Sequence, residues 1–170
     1  MKIVIITGSS IRHKAFVNRV KMSKEIQIQK VFYERGDILL KDINANPNNQ
    51  IQMNHFLSRE ATEKDFFSWF LEYSEKTFVK EEFIQRGLIS ENSFLKEIKS
   101  INPEYIIVYG SSIIKGELIE EYKDRILNVH LGLSPYYRGS GTNYFPFVYN
   151  EPEYCGATFM FLDSGIDTGQ

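Results

Sequence analysis

The sequence predicts an α/β domain with a mainly parallel sheet, and three observations carry that reading. Apolar or β-branched runs of strand length recur at residues 2–7, 26–33, 105–109, 125–129 and 155–162. The stretches between several of them place apolar residues at helical spacing. The turns Gly8-Ser9-Ser10 and Gly110-Ser111-Ser112 follow two of the runs directly, as expected where a strand hands over to a helix. Strands that alternate with helices build parallel sheets, and such strands read as nearly continuous apolar runs.

Residues 2–7, bounded by Gly8, form the expected first strand. Ser9 or Ser10 can cap the helix that follows, with Ala15, Phe16, Val17 and Val20 as its apolar face. Residues 26–33 alternate apolar and polar and complete the opening of a βαβ unit. Residues 35–60, with Asn44, Asn46, Pro47, Asn48 and Asn49, read as a long polar loop around a weakly patterned stretch. From 62 to 83 the residues Phe66, Phe67, Trp69, Phe70, Leu71, Tyr73, Phe78 and Phe83 fall close to helical spacing and predict a core-facing helix.

A further helix starts at Glu91-Asn92-Ser93, presents Phe94, Leu95 and Ile98, and stops before Pro103. Residues 105–109 are a short buried strand, and Gly110-Ser111-Ser112 turns into a helix through Ile114, Leu118 and Ile119. Residues 125–129 are the next strand, 142–149 a helix and 155–162 the last strand. Repeats and low-complexity tracts are absent from the sequence.

At 170 residues the chain has the length of one domain. A net charge of −2 argues against a nucleic-acid surface, since few phosphate counterions would be released on binding. The lone Cys155 excludes an internal disulfide and a cysteine-built zinc site, and reads as a small core residue. No apolar run approaches the roughly 20 residues of a membrane span, and the start of the chain lacks a signal-sequence pattern. The expectation is a soluble cytoplasmic protein with neither a membrane nor a nucleic-acid partner and an open oligomeric state.

The residues with chemistry cluster late in the chain. Asn128 and His130 are two apart on a predicted strand, so their side chains share a face. His130 stands at the carboxyl end of that strand, where open α/β sheets bind ligands. Asp167 follows the final predicted strand. An amide donor, an imidazole and a carboxylate suit a reaction that moves a proton while charge builds on a carbonyl oxygen. Ser134 and Pro135 set a turn that aims His130, and Gly139 and Gly141 are permissive turn positions. Asp163 competes with Asp167 as the carboxylate, with loop architecture as its simpler role. Arg138 either contacts an anionic substrate or bridges surface carboxylates. The loop Gly8-Ser9-Ser10-Ile11-Arg12-His13 lies at a helix N-terminus, where amides and dipole favour an anion, with Arg12 and His13 adding positive charge; a simply capped turn is the alternative.

The spaced set Asn128-Val129-His130, Leu133-Ser134-Pro135 and Asp167-Thr168-Gly169, with Tyr137-Arg138-Gly139 and Gly156-Ala157-Thr158 between, resembles the folate-dependent formyltransferase family. That family includes glycinamide ribonucleotide formyltransferase and the N-terminal catalytic domain of methionyl-tRNA formyltransferase. The resemblance is specific over about residues 104–170 and compatible in element order before that. It implies a Rossmann-like three-layer domain over residues 1–170, short of a C-terminal strand and helix.

The implied reaction is formyl transfer from 10-formyltetrahydrofolate, as cosubstrate, to a primary amine of a small metabolite, anionic or neutral. Asn128 would donate to the oxyanion, His130 would act beside it, and Asp167 would hold His130. Gly110, Ser112, Ile113 and Ile114 correspond to the pterin-binding edge, and the loop carrying Asp163 completes that pocket. Gly8, Ser9, Ser10, Arg12, His13 and Arg138 would face the substrate, and no metal is implied. The chain departs from purine-pathway members in having a single glycine in its first loop, which counts against glycinamide ribonucleotide itself. The resemblance also brings the expectation that methionyl-tRNA is disfavoured, for want of a tRNA-binding domain after Gln170.

Two other readings stay open. Water could accept the formyl group at the same three residues, making the protein a 10-formyltetrahydrofolate hydrolase. A non-catalytic nucleotide-binding module would use the first loop, which lacks the Gly-x-Gly-x-x-Gly fingerprint.

Overall fold

A computed structural model describes residues 1–35, 50–74 and 77–169. Its centre is β1 (Lys2–Gly8), whose run of β-branched residues is buried on both faces. Alternation sends Ile3 and Ile5 to one face and Val4 and Ile6 to the other, and each pair enters a different apolar cluster. On one side β1 pairs in parallel with β2 (Gln27–Glu34), and on the other with β4 (Tyr105–Tyr109). Beyond β2 lies β3 (Glu81–Ile84), and beyond β4 lies β5 (Ile126–Leu131), both parallel to their neighbours. The last strand, β6 (Ala157–Phe161), runs antiparallel to β5. The described residues thus form one six-stranded sheet ordered β3-β2-β1-β4-β5-β6, a mainly parallel α/β fold.

Helix α1 (Ile11–Lys21) covers one face through Val17, packed with Ile3, Ile5, Val31, Tyr33, Ile107 and Val129. A long α2 (Gln50–Tyr73) lies outside it, tied to α1 by an Arg12–Glu63 ion pair and an Asn18–Ser74 hydrogen bond of 2.9 Å. The opposite face is covered by α3 (Asn92–Ile101) and the short α4 (Glu117–Glu121). Phe94, Ile98 and Leu118 pack there on Val4, Ile6, Phe32, Ile106 and Ile126. Each such side chain contributes roughly 1.5–3 kcal/mol when fully buried. Lys30 is buried in β2 between Glu82 and Glu97, with its ammonium 4.4 Å from the Phe32 ring centre.

Strand order reverses between β1 and β4, which is where doubly wound sheets open a crevice beyond their carboxyl ends. Gly8, Gly110 and His130 all stand at that end.

Four elements differ from the sequence reading. Residues 50–60 belong to α2 rather than to a loop, while the Asn- and Pro-rich part at 36–49 lies outside the described residues. The helix expected to run to Phe83 ends at Tyr73, and Phe83 stands in β3. Nor is its aromatic stripe core: Phe66 is 70% exposed, Trp69 63% and Tyr73 79%. The helix expected from Ser111 starts only at Glu117, because Gly116 takes φ 73° and ψ −148°, a conformation glycine alone adopts readily. The helix expected at 142–149 contracts to the single turn α5 (Phe145–Val148), preceded by the left-handed Gly139 and Gly141. Among the described residues no helix is long and apolar enough to cross a membrane.

The burial contrast sets two stabilities against each other. Ile98→Ala is expected to cost about 2–5 kcal/mol, as buried aliphatic truncations do. Trp69→Ser on the open side of α2 should change stability by no more than about 0.5 kcal/mol. Urea unfolding of both variants checks this, and a comparable loss at Trp69 would restore the core-facing helix.

Candidate active site

Asp167 gathers the site. Its backbone is left-handed, with φ 50°, which turns the carboxylate back toward the end of β5. One carboxylate oxygen, Oδ1, accepts from Asn128 Nδ2 at 3.1 Å. The other, Oδ2, lies 3.3 Å from His130 Nδ1 and accepts from the Gly139 amide at 2.9 Å. The Asp167 carbonyl in turn accepts from Ser134 Oγ at 3.1 Å. The i, i+2 spacing on β5 therefore does what the sequence suggested, and delivers Asn128 and His130 to one carboxylate.

His130 is buried, and its ring is fixed at both nitrogens. Nε2 is 3.1 Å from the Tyr137 carbonyl oxygen, opposite the Asp167 contact at Nδ1. A neutral imidazole can donate to one of these acceptors and the cation to both. Gly132 leaves the space the ring needs: a Cβ there would lie 2.5 Å from Thr142 Cβ and 3.2 Å from His130 Nε2. Ser134 and Pro135 do shape the adjoining turn, with the Ser134 amide donating to Thr158 Oγ1 of β6 at 3.0 Å.

A cavity of about 540 Å³ opens beside these residues. Asn128, His130 and Asp167 line it, as do Gly110, Ser112, Ile113, Ile114 and Asp163. Asp163 also has the architectural role considered for it, accepting from the Gly165 amide at 2.9 Å and Thr168 Oγ1 at 2.6 Å. Those two bonds, the hydroxyl first, hold its carboxyl below the usual carboxylate range.

The first loop behaves differently from its sequence reading. Arg12 and His13 line the cavity, but Gly8, Ser9 and Ser10 do not. Ser10 occupies the N-cap position of α1, yet its hydroxyl bonds His13 Nδ1 at 2.8 Å instead of capping the helix. Nor does His13 add positive charge. Burial, then the Arg12 and Arg59 guanidiniums, push its imidazole down to about 3. Its Nε2 has no hydrogen-bond partner among the described residues. Arg12 is committed to Glu63. Arg138 is exposed, outside the cavity lining, and in no ion pair among the described residues. Cys155 is half-buried, with its sulfur 4.0 Å from the Asn143 carbonyl.

The whole sequence, residues 1–170, matches the profile of the family described as Formyl transferase. The chain belongs to that family. Among relatives of this formyl transferase chain, the methionyl-tRNA formyltransferase of Finegoldia magna is 28% identical over 139 residues, covering 76% of this chain and 42% of the relative. That of Desulforamulus reducens is 40% identical over 88 residues, covering 51% of this chain and 27% of the relative. The chain thus spans less than half the length of these two relatives. Its fold is shared with phosphoribosylglycinamide formyltransferase from Anaplasma phagocytophilum, at TM-score 0.64 and 10% identity over 99% of this chain and 68% of that one. Glycinamide ribonucleotide transformylase 1 from Symbiobacterium toebii gives TM-score 0.64 at 12% identity, over 99% of this chain and 69% of that one.

Sequence reasoning missed several contributions to the candidate site. The Tyr137 carbonyl and the Gly139 amide act through the backbone, so residue type carries no signal for them. Arg86 and Thr142 line the cavity from turns whose position no local pattern announces.

His13 gives the fold a pH signature. The unfolded imidazole takes up a proton near its ordinary value of about 6.5, while the folded one resists until about 3. Between those values the unfolded state binds more protons, so stability falls as pH falls. This group supplies at most about 1.4 kcal/mol per pH unit and no slope above its unfolded value. Chemical denaturation of wild type and His13→Gln from pH 7 to 4 should show a shallower loss in the variant; equal slopes would contradict a neutral, buried His13.

Proposed function

We propose that this chain transfers a formyl group from 10-formyltetrahydrofolate to a primary amine, and that the acceptor is a small metabolite. The observation that carries the reading is the convergence of Asn128, His130 and Asp167 in the lining of one cavity. Membership of the formyl transferase family supports the reaction class. The cavity suits a reduced pterin donor: Val108, Ile113, Ile114 and Leu162 offer apolar surface beside the backbone groups of residues 110–114. A net charge of −2 supports a small acceptor over a polyanion.

Each residue has a defined task. Asn128 gives one amide hydrogen to Asp167 and keeps a second for the oxygen of the formyl group as its carbon becomes tetrahedral. The His130 ring, held against Asp167, stands beside Asn128 to stabilise that oxygen. Asp167 fixes the ring through Nδ1 and supports movement of a proton from the attacking amine to the folate nitrogen, as the bond between that nitrogen and the formyl carbon breaks and tetrahydrofolate leaves.

The test is an assay of 10-formyltetrahydrofolate with a panel of small amines, with methionyl-tRNA, and with no acceptor. Formyl transfer to a small amine is expected. Formate release without acceptor would replace the reading by hydrolysis, and transfer to methionyl-tRNA alone would overturn the small acceptor. Asn128→Ala should lower kcat by about 10²–10³, the usual cost of one oxyanion donor. Asp167→Asn should also be strongly impaired, since an amide can present a donor to the His130 nitrogen that the carboxylate accepts from. Wild-type turnover that survives His130→Ala undiminished would rule out this assignment.

A further inference from the structure

We infer that Glu34 and Ser90, neither of which lines the cavity, are positioning residues that hold the Gly110–Ile114 wall in its ligand-accepting shape. The inference rests on the proposed folate reading for the identity of the ligand. Glu34 is the last residue of β2 and is buried, 3% exposed. Its carboxylate accepts three hydrogen bonds from two remote segments. Oε1 takes the Gly87 amide at 2.9 Å and the Ser112 hydroxyl at 2.7 Å, and Oε2 takes the Ser112 amide. No cation pairs with it among the described residues, so backbone and hydroxyl donors alone satisfy a buried carboxylate.

One side chain thereby joins two pieces of the cavity lining, Ser112 itself and Arg86, the residue before Gly87. Gly87 has φ 88°, so the turn that aims its amide at Glu34 suits glycine. Ser90 repeats the arrangement three residues on. Its hydroxyl donates to the Ile113 carbonyl at 3.2 Å and accepts the Lys115 amide at 3.1 Å. Residues 111–115 form no helix or strand, so these contacts replace the regular hydrogen bonds that would otherwise fix them. A loop held by outside side chains presents its backbone groups to a ligand without an ordering cost at binding.

Amide hydrogen exchange of the ligand-free protein and calorimetric titration with tetrahydrofolate test the inference. In Glu34→Gln one carboxylate oxygen becomes a donor facing donors, and at least one charge-assisted bond is lost. The expected results are faster exchange over residues 110–116 and tetrahydrofolate binding weakened roughly ten-fold or more. Ser90→Ala, at an exposed position that leaves folding intact, should do the same more mildly, and Ser90→Thr should restore binding. Kinetically, KM for the folate donor should rise while kcat is kept. Unchanged exchange in folded Glu34→Gln, or in Ser90→Ala should the first variant not fold, overturns the inference. Faster exchange with unchanged tetrahydrofolate affinity also overturns it, since the two residues would then be structural only. Wild-type protein that fails to bind tetrahydrofolate defeats the folate reading instead, while the exchange result still judges the loop.

Discussion

The carboxylate of Asp167 is where three separate stretches of chain are made to agree. β5 contributes Asn128 and His130, the turn after it contributes the Gly139 amide, and the final loop contributes the carboxylate itself. A carboxylate has about four lone-pair positions, and here they are shared between a side-chain amide, an imidazole and a backbone amide. With its side chain only 14% exposed, little water competes for those positions. The spacing between the amide of residue 128 and the ring of residue 130 is thus set by one group, and β5 alone would leave both side chains free to rotate.

The same logic governs the rest of the cavity. Much of its wall is loop, after the parallel strands β4 and β5 and after the antiparallel β6, and loops have few hydrogen bonds of their own. Side-chain bonds hold them instead: Ser134 to Thr158 and to the Asp167 carbonyl, Thr142 to the Leu131 carbonyl, Ser112 to Glu34, and, within the final loop, Asp163 to Thr168. Dipoles fixed in this way need no reorganisation when charge develops beside them, and in many enzymes such preorganised electrostatics contributes more to the rate than any other effect. The demand falls on the sequence, which must supply a polar side chain at each anchor point.

Much of this is legible in the sequence, and the misses have physical causes. β4 is found at the expected 105–109, because a continuous apolar run between Pro103 and Gly110 has no competing reading. His130, Asn128 and Asp167 are legible because strand alternation and a spaced motif point to them together. The aromatic stripe of α2 misleads because its buried side is mixed in chemistry. Phe67 and Phe70 share that side with Glu63 and Ser74, which bond α1 instead of packing against apolar groups. The helix expected after Gly110 is lost to Gly116 and to bonds with Glu34 and Ser90. Those partners are 78 and 25 residues away, and no local pattern could announce them. The neutrality of His13 escapes a sequence reading for the same reason: a helix N-terminus suggests an anion site, and only three-dimensional packing reveals that its imidazole is buried.

That imidazole is seated between two strand ends. A Cβ at Gly8 would lie 2.5 Å from His13 Cε1, and a Cβ at Gly110 would run into its Nε2. Positions 8, 13 and 110 are therefore sterically coupled, although they come from β1, α1 and the far side of the sheet's crossover. Any protein on this frame that places even an alanine at the first or third must shrink or swing away the second. A pair of glycines that looks like ordinary turn punctuation is in fact the mould of one aromatic ring, and substitutions at the three sites should be accepted only in compensating combinations.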